Sequence, residues 1–234
     1  MMSKPLFQND AYQRECSATV IAVVGAQVIV DQTVFYPLGG GQPGDSGELI
    51  GPSDQHWPVI DTRKGEEGTI VHHLDSEPDL KAGDPVTLRI DWPRRYAHMR
   101  MHTALHLLGS LIPHGVTGGN ISATKGRLDF DMADTVDKEA LTQQLNELIR
   151  ADHAVTCRWI SDEELDAQPE LVRTMSVQPP RGSGQVRLLE IADVDLQPCG
   201  GTHVRQTAEI GPVAVSKVEK KGKHNRRVSI VFAE

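Results

Sequence analysis

Met101-His102-Thr103-Ala104-Leu105-His106-Leu107-Leu108 is the stretch from which the rest of this chain is read. Its apolar run reads as helix, and on a helix two histidines four residues apart lie one turn apart on one face. That spacing lets two imidazoles take a single metal ion. Alone, such a pair is more often a buried, hydrogen-bonded couple than a metal site. Near the other end, Cys199-Gly200-Gly201-Thr202-His203 offers a thiol and a third imidazole, again four residues apart. Its two glycines are expected to permit a tight turn that aims both side chains at one point. Three nitrogens and one sulfur make a tetrahedral set suited to Zn²⁺, with His102, His106, Cys199 and His203 as ligands. His98 falls on the same helical stripe, but Arg94, Arg95 and Arg100 around it imply a more exposed setting.

Working outward, Asp91-Trp92-Pro93 is a helix start, a capping acid followed by proline in the first turn, and Pro113 ends the helix. Before it, Thr19 to Val30 is rich in β-branched residues and broken by Gly25-Ala26, the pattern of a hairpin. Thr33 to Gly47 holds five glycines and two prolines, which excludes helix and regular strand. This stretch reads either as a run of tight turns or as a loop whose backbone approaches a ligand. Gln42 is its one long neutral hydrogen-bonding side chain, expected on an exposed loop and removable with little loss of stability. Short strands follow at 49–50, 59–60, 69–74 and 85–90. Residues 1–90 therefore read as a small, barrel-like all-β domain.

After the helix, Val116 to Asn120 reads as a turn and Arg127 to Met132 as a strand. Val136 to Arg150 is an amphipathic helix, and Ser161-Asp162-Glu163-Glu164 has capping-box form. Val177 to Gly184 is a Pro/Gly-rich loop. Val186 to Ile191 is a strand that leads to Cys199. Val213 to Val218 and Arg227 to Phe232 read as a closing antiparallel pair. Residues 91–234 are thus an α+β domain with an antiparallel sheet, and the fold class of the whole is α+β.

Within 234 residues, 38% hydrophobic, no apolar run approaches a membrane span, and the first ten residues lack the apolar core of a signal peptide. Three widely spaced cysteines do not make a disulfide framework, so a reducing cytoplasm is expected, with Cys16 and Cys157 as small apolar residues. The net charge of −8 argues against a general nucleic-acid coat. Yet 217–227 carries six Lys or Arg against one acid, Glu219. That is either an ordinary solvated turn or a local phosphate contact, through Lys220, Lys221, Lys223, Arg226 and Arg227.

Three motifs carry a resemblance. Asp91-x-x-Arg94-Arg95 with Met99-Arg100-x-His102-Thr103-Ala104-x-His106, then Cys199-Gly-Gly-Thr-His203, and Tyr36-Pro-Leu-Gly-Gly-Gly-Gln42-Pro-x-Asp45-x-Gly47 stand in the order found in one family. The chain resembles the editing domain of alanyl-tRNA synthetase and its free-standing AlaX relatives over most of its length. The resemblance implies an aminoacyl-tRNA deacylase that removes serine or glycine from the acceptor end of tRNA(Ala). It implies Zn²⁺ on the four ligands, Gln42 reaching the active site, and Thr117 sensing the serine hydroxyl, with Thr103 beside the ligands next in line. The basic stretch would then meet tRNA phosphates. No aminoacylation core, no membrane and no required protein partner is expected. Two other readings stay open: a different zinc hydrolase, and a non-catalytic tRNA-binding module with structural zinc. Peptide hydrolysis is disfavoured because no Glu lies between His102 and His106.

Overall fold

A computed structural model describes residues 2–172 and 184–233. The chain divides into two compact units, Met1–Ala97 and His98–Glu234. The strands of the first unit are β1 (Lys4–Pro5), β2 (Glu15–Val24), β3 (Gln27–Val30), β4 (Gln32–Thr33), β5 (Gly47–Ile50), β6 (His56–Lys64), β7 (Ile70–Leu74) and β8 (Pro85–Ile90). Six of them close a barrel in the order β2-β3-β7-β6-β5-β8, and β1 pairs in parallel with β4. The residues alternate as a barrel demands: Cys16, Ala18 and Val20 of β2 point inward. They join Val28, Val30, Phe35, Leu49 and Leu88 in one core.

The Gly-rich stretch before β5 is tied into this unit by a buried ion pair. Arg95, fully buried, donates from Nε to both carboxylate oxygens of Asp45 at 3.0 and 2.9 Å, and its Nη2 also meets that carboxylate. Its remaining donors go to Val34 O at 2.7 Å and Ala11 O at 3.1 Å. Asp45 Oδ2 also accepts from Tyr36 N at 2.6 Å, and Arg94 reaches Gly44 O at 2.7 Å. Two charges out of water are tolerable only when so fully satisfied. Gly44 is needed for close approach, since a Cβ there would lie 2.1 Å from Thr62 O. The exposed setting expected for Gln42 is not found. Its exposure is 0%, and its backbone bridges to Gly39. The turn folds the amide inward, so truncating it would remove packing as well as a polar group.

Helix α1 (Trp92–Leu111) opens on Asp91, whose Oδ1 accepts from Arg94 N at 3.2 Å, and the division between the units falls within it. All eight residues from Met101 to Leu108 are buried, so this part is a core helix rather than a one-sided surface helix. His98 is buried too, against the expected exposed setting, because the neighbouring arginines turn inward to partners: Arg95 to Asp45, and Arg100 to Ile210 O at 2.8 and 2.6 Å. The second unit adds β9 (Val116–Ile121), β10 (Lys125–Asp131), α2 (Lys138–Arg150), β11 (Val155–Ser161), α3 (Asp162–Asp166), β12 (Gln185–Ile191), β13 (Asp195–Pro198), β14 (Val213–Gly222) and β15 (Asn225–Phe232). They form two antiparallel sheets, β14-β15-β10-β9 and β11-β12-β13. Asp137 caps α2 by accepting from Ala140 N at 2.8 Å, and Ser161 and Glu164 form the capping box of α3. No helix among the described residues is long and apolar enough to cross a membrane.

Two expected turns are strands. Residues 116–120 belong to β9, paired with β10. Its glycines serve packing, because a Cβ on Gly119 would come within 3.1 Å of Leu128. The basic stretch is mostly ladder, with Glu219 opposite Arg227 and Lys220 opposite Arg226, and only Lys223 and His224 turn the hairpin. Cationic side chains on an exposed face hid its strand character. Of the two cysteines expected as small apolar residues, Cys157 is exposed on β11, whereas Cys16 is buried and its thiol is pushed up to about 11 by burial. The expected loop at 177–184 lies, apart from Gly184, outside the described residues.

The barrel core holds a titratable group, His72. Its Nδ1–H donates to Val28 O at 3.2 Å, and Nε2 accepts from Thr33 Oγ1 at 2.8 Å. Burial lowers its pKa from 6.5 to about 4. Above pH 6.5 both folded and unfolded states keep it neutral. As pH falls from 6.5 toward 4 the unfolded chain takes a proton that the folded chain refuses, so stability drops by about 3 kcal/mol. Denaturant unfolding across this window should show that loss, and His72→Gln should flatten it. An equally steep profile in the variant would remove His72 as its source.

Candidate metal centre

All four residues singled out by spacing come together in the second unit. One ligand atom each from His102, His106, Cys199 and His203 lies within 4.8 Å of all the others. Cys199 Sγ is 3.6 Å from His102 Nε2 and 3.2 Å from His203 Nε2. A tetrahedral set with bonds of about 2.0 Å to nitrogen and 2.3 Å to sulfur has edges of about 3.3 to 3.6 Å. The donor set and its separations therefore fit one Zn²⁺.

The rings are held so that Nε2 is the atom offered. His203 Nδ1 lies 3.2 Å from Thr103 Oγ1. Thr103 has a single proton, which it gives to Met99 O at 3.0 Å, so at His203 the threonine accepts and Nδ1 carries the hydrogen. His106 Nδ1 lies 3.0 Å from Asp195 Oδ2, a buried carboxylate that can only accept, so Nδ1 is protonated there as well. Gln197 Nε2 donates to the same oxygen at 2.6 Å and fixes it. A carboxylate behind His106 and a hydroxyl behind His203 are the kind of outer shell that orients metal ligands.

Electrostatics of the apo cluster point the same way. Burial would raise the Cys199 thiol, but the charges of His102 and His203 and hydrogen bonds from His102 and His106 outweigh it and hold the pKa well below 9, toward the thiolate that binds metal. Burial, then the neighbouring His102, lowers His203 to about 3, so it is neutral. For His106 burial is outweighed by Asp195 and Cys199, and its pKa rises to about 9. Metal binding would displace that proton from His106.

The Cys199–His203 turn is shaped differently from expectation. Neither glycine takes a positive φ, and a Cβ on Gly200 would meet nothing within 4 Å. The turn is shaped instead by Arg187, buried on β12, whose Nη1 donates to Cys199 O at 3.0 Å and Gly201 O at 2.8 Å. Cys199 N donates to Arg187 O at 3.0 Å, extending the ladder into the turn. Sequence reading missed Arg187, Asp195 and Gln197. Their signals were a lone arginine inside Val186-Arg-Leu-Leu189, and the period-2 spacing of Asp195, Gln197 and Cys199.

The other expected residues are placed as follows. Thr103 stands behind His203. Thr117 Oγ1 donates to Asp129 O at 3.1 Å and accepts from Asn225 Nδ2 at 2.9 Å. Gln42 lies in the first unit. Lys220, Lys221 and Lys223 are exposed. Arg227 is bound to Asp129 at 2.7 and 2.9 Å, and Arg226 to the carbonyls of Gly222, Asn225 and Ala133.

Asp195→Asn keeps the shape and removes the charge behind His106. Zinc affinity, measured by competition with a chelating indicator, should fall by about ten- to a hundredfold. Unchanged affinity would show that Asp195 does not orient the ligand.

Residues 186–229 match the family model described as threonyl and alanyl tRNA synthetase second additional domain. That span contains Cys199, His203, β14 and the first part of β15. Residues 7–94 match the one described as tRNA synthetases class II (A), a span that lies in the barrel unit. The alanyl-tRNA editing protein AlaX-M of Saccharolobus solfataricus is 35% identical over 234 residues, covering 97% of this chain and 98% of the relative. That of Methanosarcina barkeri is 37% identical over 245 residues, covering 100% of each. The alanine–tRNA ligase of Sulfurisphaera tokodaii is 35% identical over 227 residues, covering 93% of this chain and 25% of the ligase. With full-length identity at this level and the three motifs in place, the chain belongs to the AlaX-M family of alanyl-tRNA editing proteins.

Proposed function

We propose that this chain is an aminoacyl-tRNA deacylase that hydrolyses serine, and glycine, from tRNA(Ala) in trans, with Zn²⁺ held by His102, His106, Cys199 and His203. The observation that carries this reading is the convergence of those four ligand atoms in a chain whose end-to-end relatives are named editing proteins. Action in trans is supported by the match to 98% and 100% of the length of relatives that are named editing proteins.

The ester of an aminoacyl-tRNA is already activated, so hydrolysis needs a placed water and a stabilised oxyanion rather than a covalent nucleophile. Cys199, as a ligand, is not available to attack. When bound, zinc supplies a fixed positive charge that orients the substrate amino acid. Thr103 holds His203 in its ligating tautomer, which leaves serine sensing to Thr117. Thr117 gives its own proton to Asp129 O, so in this reading it accepts from the serine hydroxyl. Alanine lacks that hydroxyl and would leave polar groups unpaired, the basis of its rejection. Lys220, Lys221 and Lys223 contact tRNA phosphates from the exposed hairpin, and Arg226 and Arg227 stiffen its base.

The test is incubation of the purified protein with Ser-tRNA(Ala) and with Ala-tRNA(Ala). The serine ester should be lost and the alanine ester spared. Cys199→Ala should lose bound zinc and slow the serine reaction by about a hundredfold or more. Tight tRNA binding without turnover would replace the deacylase with a binding module.

A further inference from the structure

The sheet β11-β12-β13 has one covered face and one that carries the metal centre. Ile160, Val186 and Leu188 pack with Leu165 and Leu171 on the covered face. On the other face, register sets Cys157 beside Leu189 and Leu189 beside Gln197, and sets Trp159 beside Arg187. Cross-strand partners share a face. Gln197 Nε2 lies 3.0 Å from His106 Nδ1, and Arg187 holds the carbonyls of Cys199 and Gly201. Trp159 therefore stands on the edge strand of the face that frames the ligands.

Its exposure is unusual. Among the described residues the exposed large hydrophobic side chains are Met2, Val24, Leu38, Ile60 and Trp159. Trp159, 45% exposed, is the one aromatic among them and the one in the second unit. An indole left in water beside a reaction centre contributes little to the fold and much to recognition. Directly across the strand is Arg187. With Nη1 committed to two carbonyls, its Nε–H is buried with no hydrogen-bond partner among the described residues. An exposed aromatic face across the strand from a buried cation suits a nucleotide, base on the ring and phosphate on the side of the positive charge.

We infer that Trp159 is the stacking seat for the base of the terminal nucleoside of the acylated tRNA, with the buried charge of Arg187 across the strand favouring that nucleotide's phosphate through its field. The inference rests on the deacylase reading. In any aminoacyl-tRNA the ester sits on the ribose of the last nucleoside, so an ester at the cluster puts that base one ribose away. Trp159 on β11 and Cys199 just past the end of β13 flank Arg187 in one row, and two strand spacings are about 10 Å, a span a nucleoside bridges. Stacking is tolerant of base identity, so this seat grips the end common to all tRNAs and leaves selection of the amino acid to the pocket.

Binding and hydrolysis are tested separately in the full chain. The binding probe is tRNA(Ala) ending in 3′-amino-3′-deoxyadenosine that carries serine through a hydrolysis-resistant amide. Trp159→Ala should weaken probe binding and raise KM on Ser-tRNA(Ala), each by about 5- to 150-fold, with kcat changed by about twofold at most. Trp159→Phe should recover most of the loss. The probe should also quench tryptophan emission in the wild type, and that quench should be absent in Trp159→Phe. This readout stands even if the alanine variant does not fold. Unchanged Kd and KM in a folded Trp159→Ala, or a quench that persists in Trp159→Phe, overturns the seat. A wild type that binds the probe with quenching at Trp159 yet spares the ester would defeat the deacylase reading while the seat stands.

Discussion

A histidine can ligate only through the nitrogen that carries no hydrogen. The bonds from His106 Nδ1 to Asp195 and from His203 Nδ1 to Thr103 settle that choice for two of the three imidazoles. Each places Nε2 in the cluster with Cys199 Sγ. Neither bond could form unless α1, β13 and the turn after it were already in register. The centre is therefore a test of the second unit's whole fold, not a local feature of two motifs.

The scaffold shows how that register is kept. Residues 101–108 of α1 are buried on every side, and a Cβ on Gly126 of β10 would come within 2.9 Å of Met101, so the helix can neither rotate nor lift without losing packing. The other half-site is fastened by Arg187. Its side chain draws in two carbonyls of the turn while its own carbonyl takes Cys199 N. In the first unit Arg95 does comparable work on Asp45, tying the Gly-rich turn to the start of α1. Both arginines are buried, and both meet most of their partners on segments that lack regular structure. Fixing such segments costs backbone entropy, which a many-donor cation offsets with several charge-assisted bonds at once.

Much of this was legible in the residues. The His pair, the Cys–His pair and the capping signals at Asp91 and Ser161 are local rules of spacing, and they hold. The barrel was visible in short β-branched runs between turn residues. What escaped reading depended on partners distant in sequence. Val116-Thr-Gly-Gly-Asn120 has turn composition, but β10 beside it recruits it as a strand whose glycines accept Leu128. Lys220 to Arg227 looks like a solvated turn because its cations face water, yet its backbone is paired. Gln42 looked exposed because glycines surrounded it, and those glycines instead let the chain fold it inward. The outer shell of the centre, Asp195 and Arg187, lay in plain view in an apolar strand and its hairpin. Only the fold shows which face they present.

The division of labour that results is simple. Four side chains define the centre, three more fix their orientation, and the edge strand beside them carries the exposed Trp159. The most direct measurement on this arrangement is the X-ray absorption spectrum of the zinc-loaded protein. Expected is one sulfur at about 2.3 Å and three nitrogens at about 2.0 Å, with the sulfur lost in Cys199→Ala. A shell of oxygens without sulfur, or a protein that takes up no zinc, would contradict it.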